Sequence, residues 1–207
     1  MSDPAICAPG EPSQDCGLPG HGAYLDRLMR RASFAALWPL FAKATKPAKE
    51  LTESFSALEH LRPLIRPNEP LRVLHIGDGA HARTAALFAL KTKAENISVD
   101  PLVNEALVEA WRVEFEVRRF GWRKSAIEDV ALELAQLPAM RTLVTFVHAH
   151  VNVDRVLGLL NWDAAFTLAC CLPGIQLSAT HRIHHSGSDE NVLSTGRSYQ
   201  VLLPPHA

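Results

Sequence analysis

Residues 71–101 read LRVLHIGDGAHARTAALFALKTKAENISVDP, and the order of features in that stretch decides the fold. An apolar run from Leu71 to Ile76 ends in Gly77-Asp78-Gly79. A helix-compatible segment follows to about Leu90, and a second short β-like run, Asn96 to Val99, ends at Asp100. Strand, glycine turn, helix and strand with an acid at its tip together form a nucleotide-binding half-site. Gly77 and Gly79 allow a tight turn and close backbone approach to a ligand, and the next helix offers its N-terminus. A carboxylate about 20 residues after the first glycine is placed to hydrogen-bond ribose hydroxyls. The fuller G-x-G-x-x-G pattern wants glycine at 82, where Ala82 stands, and G-x-G-x-G wants it at 81, where His81 stands.

Working outward, the chain before this unit reads as helical. Residues 1–20 are rich in Pro, Gly and Ser without periodicity, the composition of a disordered leader. From Ala23 to Lys43, Leu25, Leu28, Phe34, Leu37, Leu40 and Phe41 recur at three- and four-residue steps. They predict two short helices broken around Ser33 or Pro39. A further helix starts after Pro47, with Leu51, Phe55, Leu58 and Leu61 as its stripe, and Pro63 ends it. Residues 21–65 thus form an N-terminal helical extension that covers either a sheet face or a cleft and offers a surface for a protein partner or a homodimer.

After the half-site, residues 66–207 continue as one α/β domain. Asn104 to about Val113 reads as a helix. Glu114 to Phe120 alternates with the period of a half-buried strand, and Ser125 opens a helix to Leu137. Arg141 to Val147 is apolar enough for a central parallel strand. Val153 to Leu160 is helical and Trp162 to Leu168 is a fifth strand. Ile175 to His184 and Ser198 to Leu203 read as a hairpin turning near Gly187. The expected architecture is a three-layer Rossmann-like sheet, mostly parallel, with a C-terminal antiparallel hairpin and an N-terminal helical layer.

Composition narrows the function. With 47% hydrophobic and 21% charged residues the chain is a globular protein, and a net charge of −1 gives no global basic field. Basic residues cluster only locally, at Arg27-Arg30-Arg31 and at Arg118-Arg119-Arg123-Lys124, where Trp122 is the tryptophan suited to stack on a base. No run reaches the roughly 18 apolar residues that span a bilayer, and no secretory core precedes Cys7 and Cys16; a cytoplasmic, reducing location is expected.

Ligands of open α/β sheets bind at the carboxyl tips of the strands. Those tips carry His75, Asp78, Asp100, Glu128, His148, His150, Cys170 and Cys171. His148 and His150 are the candidate catalytic bases, since imidazole titrates near neutral pH. Asp78 either contacts a ligand or caps the helix after it. No C-x-x-C or H-E-x-x-H spacing is present, so no metal is expected, and Cys170 and Cys171 read as small hydrophobes.

From about Pro47 to Leu203 this order of elements resembles the class I S-adenosylmethionine-dependent methyltransferases. VLHIGDGAH looks like that family's first motif and ISVDP like its second. Lys49-Glu50, His148 and the Cys170-Cys171 pair resemble, more narrowly, an RNA-methyltransferase-like subset. The resemblance implies S-adenosylmethionine as cofactor, held by Gly77, Asp78, Gly79 and Asp100, with RNA or a small molecule as methyl acceptor. The chain departs from the pattern in three places. His75 stands where an acid usually holds the methionine moiety. The adenine contact after strand three falls to Ala126, Glu128 or Asp129, and only the two acids can serve. FVHAHVN lacks the usual D/N-P-P-Y and has His148 at that tip. Each lost buried contact is worth about 1–3 kcal/mol, so two or three together weaken binding roughly 10³-fold. The alternative implied is an inactive methyltransferase-fold protein used as an interaction or regulatory module. A nicotinamide dehydrogenase fits less well, because the closing hairpin does not suit it and no Tyr-x-x-x-Lys is present.

Overall fold

Leu71–Ile76 (β1) is buried at all six positions, and so is Ala164–Ala169 (β5); Arg141–Val147 (β4) is buried at all but its first. Strands apolar on both faces need helices on both sides, and the computed structural model, which describes residues 23–31, 33–169 and 173–205, provides them. With Glu95–Val99 (β2), Phe120–Arg123 (β3), Arg182–Ser188 (β6) and Ser198–Leu203 (β7), the sheet runs β3-β2-β1-β4-β5-β7-β6. The first five strands are parallel, and β7 is antiparallel to both its neighbours. The fold is the expected Rossmann-like one. Residues 1–20 and all four cysteines lie outside the described residues.

On one face pack Ala23–Met29 (α1), Ser33–Phe41 (α2), Pro47–Leu61 (α3), Arg83–Lys91 (α4) and Glu105–Glu114 (α5). Their Leu28, Phe41, Phe55, Phe88 and Trp111 share a core with Val73, Leu143 and Phe166. On the other, Ile127–Ala135 (α6) and Val153–Leu157 (α7) bury Ile127, Leu134 and Val156 against Leu74, Ile76, Val144 and Phe146. The alternation of Val73 and Leu74 between the two clusters is the two-residue period of a strand. Pro39 lies inside α2, and the break between α1 and α2 precedes Ser33.

Two strand assignments are corrected. The alternation from Glu114 to Phe120 is not a strand. Helix α5 runs to Glu114, Glu116 turns with φ +53°, and Val117 N–H closes onto Arg112 C=O at 2.9 Å. Pairing begins only at Phe120, opposite Asn96. The period-2 pattern came from a helix end reversing, which leaves Val113 exposed and Val117 buried. Similarly, Ile175 and Gln176 belong to a one-turn helix, Pro173–Gln176 (α8), and not to the hairpin. The next residues are tied down by Asp154, which accepts from Ser178 Oγ at 2.5 Å and Ala179 N–H at 3.0 Å, and lies 2.9 Å from His181 Nδ1. The hairpin's first strand therefore begins at Arg182. Gly187 sits within it opposite Tyr199, and the chain reverses between Asp189 and Arg197.

That reversal is locked to the helical layer. Asp189, buried in the turn, accepts from Ser56 Oγ at 2.6 Å and Tyr24 OH at 2.7 Å, and His60 Nε2 lies 3.2 Å away. Despite burial, these partners hold its carboxyl well below the ordinary carboxylate range. A depressed folded-state pKa contributes stability above the unfolded value and loses it as pH falls. Asp189→Asn is expected to cost roughly 2–4 kcal/mol at pH 7. Urea denaturation at pH 7 and pH 3 checks it: the gap between wild type and variant narrows at pH 3.

Candidate functional site

The turn after β1 is built by two left-handed glycines, Gly77 at φ +68° and Gly79 at φ +74°. Gly77 N–H donates to Val99 C=O at 2.9 Å, which pulls the turn over the tip of β2. A Cβ on Gly77 would sit 2.7 Å from Ala149 Cβ, so the loop after β4 passes directly behind it. At Gly79 a Cβ would meet nothing within 4 Å. The turn is thus pinned on one side and open on the other.

Two carboxylates complete it. Asp100, buried at the tip of β2, accepts from Gly79 N–H at 2.9 Å and Leu102 N–H at 2.7 Å. Asp78 accepts from Thr84 N–H at 2.9 Å and Ala85 N–H at 3.0 Å, so its side chain occupies the N-terminus of α4. Burial pushes the Asp78 carboxyl up to about 6, against the lowering effect of those two amides.

Above the turn is a cleft of about 500 Å³ between α3 and the tips of β1, β2, β3 and β4. It brings together Gly77, Asp78, Gly79, Asp100, Glu128, His148 and His150. Glu128, in the first turn of α6, lies 3.6 Å from Arg155 and reaches the cleft wall, as do Ser125 and Ala126. Two candidates lie elsewhere. Asp129 points from the outer side of α6, exposed, with Ser125 Oγ 3.5 Å away. His75 turns into the α4 side of the sheet, with Nδ1 2.8 Å from Thr145 Oγ1, Nε2 3.2 Å from Asn96 Oδ1, and its ring edge-on to Phe88. Burial pushes its pKa down to about 3, so this imidazole is neutral.

The strand β4 stops at Val147, and His148 takes a left-handed φ of +60°. Its ring lies 5.8 Å from that of His150. Burial, Lys49 and His150 lower the His148 pKa below its ordinary value, with Glu50 opposing. A neutral imidazole at neutral pH can accept a proton.

Glu53 on α3 and Arg83 on α4 are cleft residues that sequence reasoning missed. Glu53 is 1% exposed yet forms part of the cleft wall; its Oε1 lies 2.9 Å from Lys49 Nζ and 3.8 Å from His148 Nδ1. Burial pushes its carboxyl up, with Lys49 and Ser194 opposing. Glu50 pairs with Arg83, which also donates to Leu40 C=O at 2.8 Å. Lys49 and Glu53 at i, i+4 have the spacing of a solvated helix pair, and they lie on the face of α3 opposite Leu51 and Phe55, so nothing in the sequence marked Glu53 as buried. In all, five carboxylates and one guanidinium line the cleft. Among the described residues no group of three or more His, Cys, Asp or Glu is arranged to hold a metal ion, and no helix is long and apolar enough to cross a membrane.

No family model and no curated protein matches the chain. Solved structures do. A mutant of MtNAS in complex with S-adenosylmethionine superimposes with a TM-score of 0.54 at 12% identity, covering 89% of this chain and 76% of that one. A second crystal structure of that mutant gives 0.55 at 14% identity, covering 89% and 74%. The bifunctional kinase-methyltransferase WbdD aligns at 20% identity over 91% of this chain, with a TM-score of 0.46; the chain spans 43% of its length. The likeness to MtNAS is one of fold.

The two glycines predict different sensitivities. Gly77→Ala meets both a forbidden φ and the Ala149 backbone, and is expected to cost about 2–4 kcal/mol. Gly79→Ala meets only the φ penalty, about 1–2 kcal/mol. Urea denaturation of both variants checks the order.

Proposed function

We propose that the cleft binds S-adenosylmethionine and that the protein is an S-adenosylmethionine-dependent methyltransferase. The observation that carries this reading is charge. Five carboxylates around one guanidinium favour a cationic ligand, and Asp78 already takes the amides of α4 that a phosphate would need. A dinucleotide pyrophosphate would meet carboxylates there; a ligand bearing a sulfonium and an ammonium meets complementary charge.

The remaining lining fits the same ligand. A carboxylate offers about four acceptor sites, and Asp100 uses two on backbone amides, leaving acceptors for ribose hydroxyls. Ile76, Val99, Leu102 and Ile127 supply apolar walls for a flat base, and Glu128 is the acid at hand for an exocyclic amine. With His75 neutral and turned away, Glu50 and Glu53 are the carboxylates of α3 nearest an ammonium, which would share them with Arg83 and Lys49. When bound, the cofactor supplies an electrophilic methyl on sulfur. What the protein adds is orientation, and His148, its pKa lowered by burial, Lys49 and His150, takes the proton from the methyl acceptor. RNA and a small molecule are the two acceptor classes.

Calorimetric titration tests the cofactor. S-Adenosylmethionine and S-adenosylhomocysteine are expected to bind with micromolar Kd, weakened at least tenfold in Asp100→Ala, about 1.4 kcal/mol or more. NADH should give no heat. Absence of heat at millimolar S-adenosylmethionine, from protein shown folded by circular dichroism, would overturn the reading in favour of an inactive interaction module. With a methyl acceptor identified by label transfer to RNA or to small-molecule pools, the rate should rise with pH through a midpoint below 6.5, the ordinary histidine value, and lose that limb in His148→Gln.

A further inference from the structure

At the opposite edge of the sheet, where β1, β2 and β3 begin, the charge reverses. A concavity of about 350 Å³ is rimmed by Arg31, Arg62, Arg66, Lys91 and Lys93. A second, of about 480 Å³, shares Leu71 and Lys93 with it and adds Arg118 and Arg119. Counting Arg72, eight cations line the two against two acids, in a chain whose formal net charge is −1. Both acids are already engaged by arginines: Glu69 lies 3.2 Å from Arg141 and 3.7 Å from Arg66, and Glu95 lies 2.7 Å from Arg72. Of the rim cations, Arg62 is also paired, with Glu59 at 2.6 Å.

A bland account exists for part of this. Lys91 and Lys93 sit at the C-terminus of α4, whose carbonyls attract cations. It does not cover the rest, because Arg31, Arg62, Arg66, Arg118 and Arg119 converge from the turn after α1, the 3-10 turn Arg62–Leu64, the loop before β1 and the loop before β3. Their convergence is unfavourable as it stands. Burial and the charges of Arg31 and Arg62 push the Lys91 ammonium below its ordinary value. Between the cations the floor is apolar, formed by Ile65, Leu71, Pro138 and Met140.

We infer that this edge is a binding track for single-stranded nucleic acid, with phosphates on the cationic rim and riboses and bases against the apolar floor. Two concavities that share Leu71 and Lys93 and carry repeated cations suit a repeating polyanion better than one isolated phosphate. Among the described residues no aromatic side chain lines them, so affinity rests on the phosphate contacts, which carry no sequence information. The inference does not depend on what the cleft at the other edge binds.

The test is fluorescence anisotropy of labelled 20-mers of uridine and of thymidine with the full chain. Both should bind at 50 mM salt. With about five phosphates neutralised, affinity should fall roughly 100-fold between 50 and 200 mM salt. The doubly reversed variant Lys93→Glu, Arg119→Glu is expected to bind at least tenfold more weakly. Arg182→Glu, on the exposed strand β6 far from the groove, should bind as wild type does. All the altered residues are exposed, and thermal melts establish that each variant folds. No anisotropy change at 50 mM salt, equal loss in Arg182→Glu, or tighter binding of a 20-bp duplex than of the single strands would each overturn the inference.

Discussion

The turn at Gly77–Gly79 is held between two carboxylates, and most of what is particular to this protein follows from that. Asp100 reaches across from β2 to take the Gly79 amide, and Asp78 folds forward to take two amides of α4. Each satisfies backbone donors that would otherwise be orphaned at a helix start or a tight turn. Together they fix how β1, β2 and α4 meet, and hence where the cleft opens. Holding Asp78 buried is costly, as its elevated pKa of about 6 records. A neutral cap would do the same structural work at less cost. What a neutral cap would not do is add a carboxylate to the field of the cleft.

Much of this was legible in the chain because it is local. The strand, glycine turn, helix and acid of residues 71–101 declare themselves within about thirty residues, and the central strands β4 and β5 are mostly apolar. What misled was also local. Val113, Phe115 and Val117 alternate like a strand, but the helix α5 was long enough to absorb the first of them, and the left-handed Glu116 turned the remainder around. Nothing in a period-2 count distinguishes a half-buried strand from a helix end that doubles back. The hairpin formed as expected, but its first strand starts later for a different reason: Asp154, more than twenty residues earlier, captures Ser178, Ala179 and His181 and withholds them from pairing.

The candidate cleft was legible where its residues stand at strand tips or, like Glu128, just after one. Gly77, Asp78, Gly79 and Asp100 belong to a single unit, and His148 and His150 to a single strand tip. Glu53 and Arg83 required knowing that α3 lies across the tips of the sheet. From sequence, the N-terminal helices cover either a sheet face or a cleft. Helix α3 does both. Its Leu51, Phe55, Leu58 and Leu61 enter the core while Glu50, Glu53 and Ser54 close the cleft, so all eight residues from Leu51 to Leu58 are buried. His75 marks the same limit in reverse. It holds the position where the family pattern has an acid, yet the strand's alternation sends it to the other side, toward Thr145, Asn96 and Phe88. The negative charge over the cleft comes instead from Glu50 and Glu53 on α3, together with Asp78, Asp100 and Glu128.

The two ends of the parallel sheet therefore carry opposite fields, acidic over the strand tips and basic where the strands begin. Charges in concave, low-dielectric walls act more strongly than the same charges on a convex surface, since field lines are focused there. A net charge of −1 conceals this, because the two excesses nearly cancel in the sum. The separation also bears on how one molecule handles two kinds of ligand. Phosphates drawn to Lys93 and Arg119 are repelled from the carboxylates around Asp78, and a cationic ligand is repelled from the basic edge. Each groove excludes the other's ligand by sign alone, before shape is consulted. For a methyltransferase acting on a polyanion that arrangement would keep substrate backbone out of the cofactor's seat; for a protein with a small acceptor, the basic edge would serve a separate attachment. Which of the two holds turns on whether a strand anchored at the basic edge can wrap to the cleft. β1 has six residues at roughly 3.3 Å each, about 20 Å, which a handful of extended nucleotides spans.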